Sequence, residues 1–332
     1  MKLGILKAFS EQHKYYIRAC ESLQIDYEVI DILSYRWLEY ITNSDCDGFL
    51  CRPPSKFQER KTMFDERLYI IDKYLKLPLY PSYDELFIYE NKKMMDYWLT
   101  INKIKHAKTY VFYNKEEYFD FIKKARFPLV FKTNIGSTAK GVKIINNKLI
   151  ASSIGKKVFG THNSKLVSGY TPETTGKIIK FKATGSAQKH FIILQEFLDV
   201  KWEWRMVRIG NSYFGHKKLL KGAFASGSKL KGWDRPPDKL LYLTKEICDK
   251  GNFLSMNVDI FETSDGEFYV NELQSIFGQS TEQLMLVDGL PGRFVFTNSN
   301  FVFEKGNFNQ NQSFDLRVKH FLKLLKDENN VK

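Results

Sequence analysis

Three oxygen-bearing side chains in the last third of the chain carry the strongest chemical signal. Asp259 lies in the run Met-Asn-Val-Asp-Ile-Phe (256–261), and Glu272 and Gln274 lie in the returning run Tyr-Val-Asn-Glu-Leu-Gln (269–274). A Ser-Asp-Gly turn at 264–266 makes the two runs a hairpin and sets 259 roughly opposite 272. Glu272 and Gln274 are two apart and share one strand face, with Val258, Ile260, Val270 and Leu273 turned toward the other side. Two carboxylates and an amide oxygen suit a hard divalent cation such as Mg2+, completed by water and phosphate oxygens. The same residues would also write an acidic hairpin facing solvent.

Two further stretches could handle a phosphate chain and a base. Lys132 closes the apolar run 127–132, and Gly136-Ser137-Thr138-Ala139-Lys140-Gly141 leads into the hairpin partner at 141–147. Gly136 and Gly141 can present backbone N–H groups without side-chain obstruction, and Ser137 and Thr138 add donors. The spacing is not the P-loop pattern, which needs its lysine just before Ser or Thr at a helix start. A flexible hairpin turn has the same composition. Further on, Gln195-Glu196-Phe197-Leu198 ends an apolar strand. Its edge could pair with adenine between the apolar walls of Phe197 and Leu198, although a buried strand with a polar end reads identically. Glu203 could accept from ribose hydroxyls. Arg205, on the same strand, is a donor for a transferred phosphoryl group, and Lys217, Lys218 and Lys221 extend a basic lining that a solvated face would share.

The elements that must position these groups alternate in type. Strand, helix, strand, helix, strand over 2–52 predicts a small parallel α/β layer, whose C-terminal strand edge gathers Phe9, Ser10 and Arg52. A helix over 61–76 and a Pro-rich passage at 78–86 put the first domain at 1–89. Strand and helix patterns then mark 90–190 and 191–310, with a polar helix and no nameable site at 311–332. The fold class is α/β, passing into an α+β domain.

Composition narrows the function. The chain has 332 residues, with 43% hydrophobic and 15% aromatic content, enough to bury a core and so to exclude extensive disorder. No apolar run reaches the length of a membrane span, and the N-terminal nine residues turn polar too soon for a signal peptide. Four cysteines without a C-x-x-C pair read as reduced thiols, which together predicts a soluble cytoplasmic protein. The net charge is +13, and residues 101–190 hold 18 Lys or Arg against four Asp or Glu. That segment predicts contact with an anion, either polyphosphate or nucleic acid.

Taken in order, these features are a lysine, a Gly/Ser loop, a strand ending Gln-Glu-Phe-Leu, a Glu-x-Arg strand, and an Asp with a Glu-x-Gln hairpin. The pattern resembles the ATP-grasp superfamily of Mg-ATP-dependent ligases over about residues 90–300, and the preceding layer is similar to the domain that comes first there. The resemblance implies that Lys92 or Lys93, with Lys132, touches the α and β phosphates. It makes 136–141 a phosphate lid and Glu196 with Leu198 the adenine hinge. Glu203 would hold ribose, Arg205 the reaction centre, and Asp259, Glu272 and Gln274 the magnesium. Gln274 departs from the commoner Glu-x-Asn, and the following residues lack the proline frequent in amino-acid ligases. In texture the chain is more similar to divergent members associated with bacterial surface-polysaccharide gene sets.

The implied activity joins a carboxylate to an amine or thiol. ATP, held between two halves of the grasp domain, phosphorylates the acceptor carboxylate, and the nucleophile displaces phosphate. A kinase on the same scaffold, a non-catalytic grasp protein and a nucleic-acid-binding protein remain as alternatives. Candidate acceptor contacts are Ser10, Arg52, Ser228 and Arg293, the two arginines as a carboxylate fork. The acceptor is a small molecule, a glycan or a peptide end, and homodimerisation is implied by the resemblance.

Overall fold

The computed structural model describes residues 1–55, 57–136, 141–159, 190–221, 224–225, 230–277 and 281–329. The chain divides into two compact units: Met1–Pro54, Met63–Tyr89 and Val200–Lys332 form the first, Ser55–Thr62 and Glu90–Asp199 the second.

The first unit opens with β1 (Lys2–Lys7), α1 (Lys14–Ser22), β2 (Asp26–Asp31), α2 (Trp37–Thr42) and β3 (Gly48–Leu50). α3 (Gln58–Tyr69), whose first residues group with the second unit, leads to β4 (Leu79–Tyr80) and α4 (Tyr83–Ile88). The strands form a parallel sheet in the order β2–β1–β3–β4, as their alternation with helices predicts. A parallel sheet is covered on both faces, and β1 shows it. Leu3 and Ile5 pack against Tyr16, Ala19 and Cys20, while Leu6 joins the cluster of Ile30, Phe64 and Leu68. α4 begins at a capping box in which Ser82 and Glu85 satisfy each other's backbone N–H.

The second unit contains α5 (Lys92–Ile101), β5 (Thr109–Phe112), α6 (Lys115–Lys124), β6 (Leu129–Lys132), β7 (Val142–Ile145), α7 (Lys148–Phe159) and β8 (Ile192–Glu196). Its antiparallel sheet runs β5–β8–β6–β7. Tyr118 and Ile122 of α6 meet Ala151 and Val158 of α7 in a core laid over Leu129, Phe131 and Leu194.

The chain returns to the first unit through β9 (Val200–Ile209), β10 (Ser212–Lys218), β11 (Leu220–Lys221), β12 (Phe224–Ala225), β13 (Lys231–Gly232) and α8 (Asp238–Lys250). β14 (Ser255–Thr263), β15 (Phe268–Gln274), β16 (Leu286–Val287), β17 (Leu290–Thr297), β18 (Asn300–Lys305) and α9 (Phe314–Asn329) complete it. The large antiparallel sheet has the order β15–β14–β9–β10–β17–β16, with β13 on β10 and β18 on β17. Gly210 makes the β9–β10 turn at φ +58°, a conformation that favours glycine. α9 is amphipathic: Phe314, Val318, Phe321 and Leu325 enter the same core as Leu3 and Ile5.

All four cysteines are buried and unbridged. Among the described residues, no helix is long and apolar enough to cross a membrane.

Candidate functional site

Strand register gathers the polar residues of the first unit on one face of its large sheet. Asp259 pairs with Glu272 on one side and with Arg205 on the other, while Lys218 pairs with Glu203 and His216 with Arg205. Directly opposed residues point to the same face, so the pairing places Glu203, Arg205, His216, Lys218, Asp259 and Glu272 together. Val270 and Leu273 differ in parity, so both can turn away from this face only if the strand is irregular. A bulge supplies that irregularity: β15 skips Asn271, so that Ile260 faces Val270 while Asp259 faces Glu272. Asn271 is thereby turned toward Glu203, and its Nδ2 donates to Glu203 Oε2 at 2.9 Å.

The centre of the cluster is a closed charge network. Arg205 donates from Nε and Nη2 to the two oxygens of Asp259, each at 3.0 Å. Lys218 Nζ donates to Asp259 Oδ2 at 2.6 Å and also pairs with Glu203. Asn257 Nδ2 donates to Asp259 Oδ1 at 3.1 Å. Four donors therefore fill the roughly four lone-pair positions that a carboxylate offers. Asp259 is 1% exposed. Burial by itself would raise its pKa, but Arg205 and Lys218 outweigh it and hold the acid well below the usual carboxylate range. Burial would lower the Arg205 guanidinium, and Asp259 with Glu272 keeps it raised instead. Two acids thus balance two bases.

Glu272 is the negative charge left over. Neither Glu272 nor Gln274 has a hydrogen-bond or ion-pair partner among the described residues, and both are half-buried. Asn257, fully buried and paired in register with Gln274, leaves its Oδ1 without a partner. Open carboxylate and amide oxygens on a charge-balanced floor fit a hard cation. The expected metal trio is therefore unequal, because Glu272 and Gln274 keep open oxygens and Asp259 does not.

Two bases border the network. His216 donates from Nδ1 to Leu284 O, 2.9 Å away, and burial with the charges of Lys231 and Arg205 pushes its pKa down to about 3. Lys231 meets Thr281 Oγ1 at 2.6 Å, and burial plus Arg205 lowers it to about 8. Lys217, by contrast, stands on the opposite face, over Trp202 (3.9 Å) and Trp204 (5.1 Å), and pairs with Asp234 at 3.0 Å. Lys221 lies in β11, opposite Phe224.

In the second unit, the loop after β6 is tied to the start of α5. Lys92 Nζ donates to Gly136 O at 2.9 Å, Gly136 N donates to Glu90 Oε2 at 3.0 Å, and Lys93 N donates to Asn134 Oδ1 at 3.1 Å. Lys93 Nζ also lies 4.0 Å from the Phe191 ring. Lys132 is buried at the end of β6. Gly141, at φ +84°, returns the chain to β7, and a Cβ there would run into the Thr133 side chain. Ser137, Thr138 and Lys140 of the expected lid lie outside the described residues. On β8, the Gln195 amide donates to Thr109 Oγ1 at 3.0 Å, and Glu196 accepts from Tyr110 Oη at 3.1 Å. Phe197 leaves the sheet exposed, and Leu198 is half-buried.

The expected acceptor contacts are dispersed. Ser10 is exposed. Arg293 is committed to Glu304 at 2.8 Å and Ser212 Oγ at 2.9 Å, while Arg52 lies over Tyr15 and Phe314. Ser228 lies outside the described residues. The residues not singled out from the sequence are Asn257, Asn271, His216 and Lys231.

No family model matches the chain, and no curated protein matches it by sequence. Solved structures match its fold. D-alanine–D-alanine ligase from Bacillus anthracis is 15% identical over 99% of this chain and 99% of its own, with a TM-score of 0.59. The ADP complex of N5-carboxyaminoimidazole ribonucleotide synthetase is 16% identical over 84% of this chain and 71% of its own, also at 0.59. A RimK-domain ATP-grasp protein from Sphaerobacter thermophilus is 14% identical over 82% and 90%, at 0.53. The chain therefore has an α/β architecture with an ATP-grasp-like fold. No comparison bears on surface-polysaccharide synthesis.

Proposed function

We propose that the chain is a Mg-ATP-dependent ligase that activates an acceptor carboxylate as an acyl phosphate and joins it to an amine. A shared fold does not fix an activity. The observation that carries the reading is the single sheet face on which Arg205 and Lys218 lie beside the open oxygens of Glu272 and Gln274. Cationic donors next to cation ligands are what phosphoryl transfer asks of a protein, because the catalysis is positioning and charge stabilisation.

Glu272 and Gln274 would hold magnesium, and Asp259 would join them only by giving up one of its four donors. The ion, when bound, neutralises charge on the polyphosphate. Asp259 fixes the direction of the Arg205 fork and of Lys218 Nζ, so both reach the reacting phosphoryl group without reorganising. Glu203, steadied by Asn271, accepts from the ribose. In the second unit, Lys92 and Lys132 are the candidate phosphate contacts and Glu196 through Leu198 the candidate adenine contacts, as the resemblance implies. No residue is needed as a covalent nucleophile.

The test is ADP formation against pairs of carboxylates and amines. A pair that releases ADP and phosphate only when both members are present supports the ligase, and Glu272→Ala abolishes that release while the far-ultraviolet spectrum is unchanged. ADP formed with the carboxylate alone, leaving a stable phosphorylated acceptor, would replace the ligase with a kinase. Undiminished turnover by Glu272→Ala would refute the metal assignment.

A further inference from the structure

Arg52, just past β3, and Arg317, in the first turn of α9, lie far apart in the chain but share one aromatic ring. Their guanidinium carbons are 5.4 Å and 5.0 Å from the Phe314 centroid. Tyr15 stacks on that ring at 5.2 Å, and Arg52 lies 5.6 Å from Tyr15. Arg317 is fully buried. It donates from Nε to Ser255 Oγ at 3.2 Å and from Nη1 to Ser313 Oγ at 3.0 Å and Gln312 O at 3.3 Å, all neutral acceptors. Arg317 Nη2 and Arg52 Nη1 are buried with no acceptor among the described residues.

Neither arginine has an ion-pair partner among the described residues. Glu85 is the carboxylate that acts on Arg317, but its oxygens are taken by Ser255 N at 2.7 Å and by Ser82 N and Oγ at 2.8 Å. Burial pushes Glu85 up to about 7, which weakens it as a counter-ion. Burying a guanidinium with unmade hydrogen bonds and no counter-charge is strongly unfavourable, and two such groups beside one ring compound the cost. Two of the three acceptors for Arg317 come from a strained segment: Asn311, Gln312 and Ser313 adopt φ of +47°, +54° and +62°, which only glycine adopts freely. Such strain gathers where a ligand must be met. The same turn lines an open pocket of about 350 Å³ with Thr281 and Glu282.

We propose that Arg52 and Arg317 form an anion clamp, in which one carboxylate or phosphate group accepts from Arg52 Nη1 and Arg317 Nη2 beside the Phe314 ring. The acceptor substrate would then carry a second acidic group besides the carboxylate that is activated. That assignment to the acceptor rests on the ligase reading, whereas the clamp does not.

The test is thermal unfolding of the full chain at constant ionic strength, without nucleotide, as chloride is replaced by inorganic phosphate or by succinate. A saturable rise in Tm with phosphate or with succinate is expected, and the anion that produces it identifies the class. Arg52→Met and Arg317→Met each raise the half-saturating concentration by about tenfold or more, the loss of one charged hydrogen bond. Arg36→Met, at an exposed arginine paired with Glu39, leaves it unchanged. Should Arg317→Met fail to fold, Arg52→Met decides by itself. No saturable rise with either anion, or a rise that either methionine variant retains in full, would overturn the clamp. Because ATP is absent throughout, failure of the clamp and failure of nucleotide binding are read separately.

Discussion

On the large sheet of the first unit, Glu203 and Asp259 are matched by Arg205 and Lys218, and every oxygen of Asp259 has its donors. At the C-terminal edge of the parallel sheet, Arg52 and Arg317 gather beside Phe314 with no acid committed to them among the described residues. Both regions hold cationic side chains, yet among the described residues one is balanced and the other is not. A balanced network holds its groups in place before a ligand arrives. An unbalanced one needs the ligand to be satisfied, so the two should respond in opposite ways to the loss of a charge.

The largest effect is expected at the balanced site. Asp259→Ala leaves Arg205 buried without its counter-ion and Lys218 with Glu203 alone, and should cost about 3–5 kcal/mol in denaturant unfolding. Arg317→Met, which removes a charge with no ion-pair partner among the described residues, should cost less than Asp259→Ala in chloride buffer. Equal losses for the two would erase the distinction.

An intermediate effect tests Glu85. Its folded pKa of about 7 lies above the ordinary 4.5, so its contribution to stability is complete below pH 4.5 and is lost as pH rises through 7. The difference between wild type and Glu85→Gln should fall by roughly 3 kcal/mol across that window. A flat difference would mean that Glu85 is charged in the folded state and serves Arg317 as a counter-ion after all.

The smallest effect separates two neighbouring lysines. Lys217→Ala loses stacking on Trp202 and Trp204 and a pair with exposed Asp234, about 1 kcal/mol in all. Lys218→Ala leaves Glu203 without its cation, and should cost several times more and weaken nucleotide binding. The reverse order, seen in paired unfolding curves, would place the working lysine on the other face.

These contrasts also show what the sequence could reveal. The two hairpins were legible, because alternation and a Gly-containing turn settle which strands pair, and 259 opposite 272 follows from the turn position. The same counting from Gly210 sets Lys218, not Lys217, opposite Glu203, a signal present in the sequence but not singled out. The Asn271 bulge was implied by the parity of Val270 and Leu273, although no local residue preference announces it. The arginine pair was not legible. Its members meet only because α9, read from the sequence as a polar helix, lays Phe314 and Val318 into the core of the N-terminal sheet, and periodicity does not show what a helix will cover.

Calorimetric titration with a non-hydrolysable ATP analogue, with and without Mg2+, tests most directly whether the chain binds Mg-ATP. Micromolar, magnesium-dependent binding that Glu272→Ala and Lys132→Ala each weaken by about tenfold or more is the predicted result. Absence of binding by the folded wild-type chain, with or without the ion, would contradict the account and leave the ATP-grasp-like fold as architecture only.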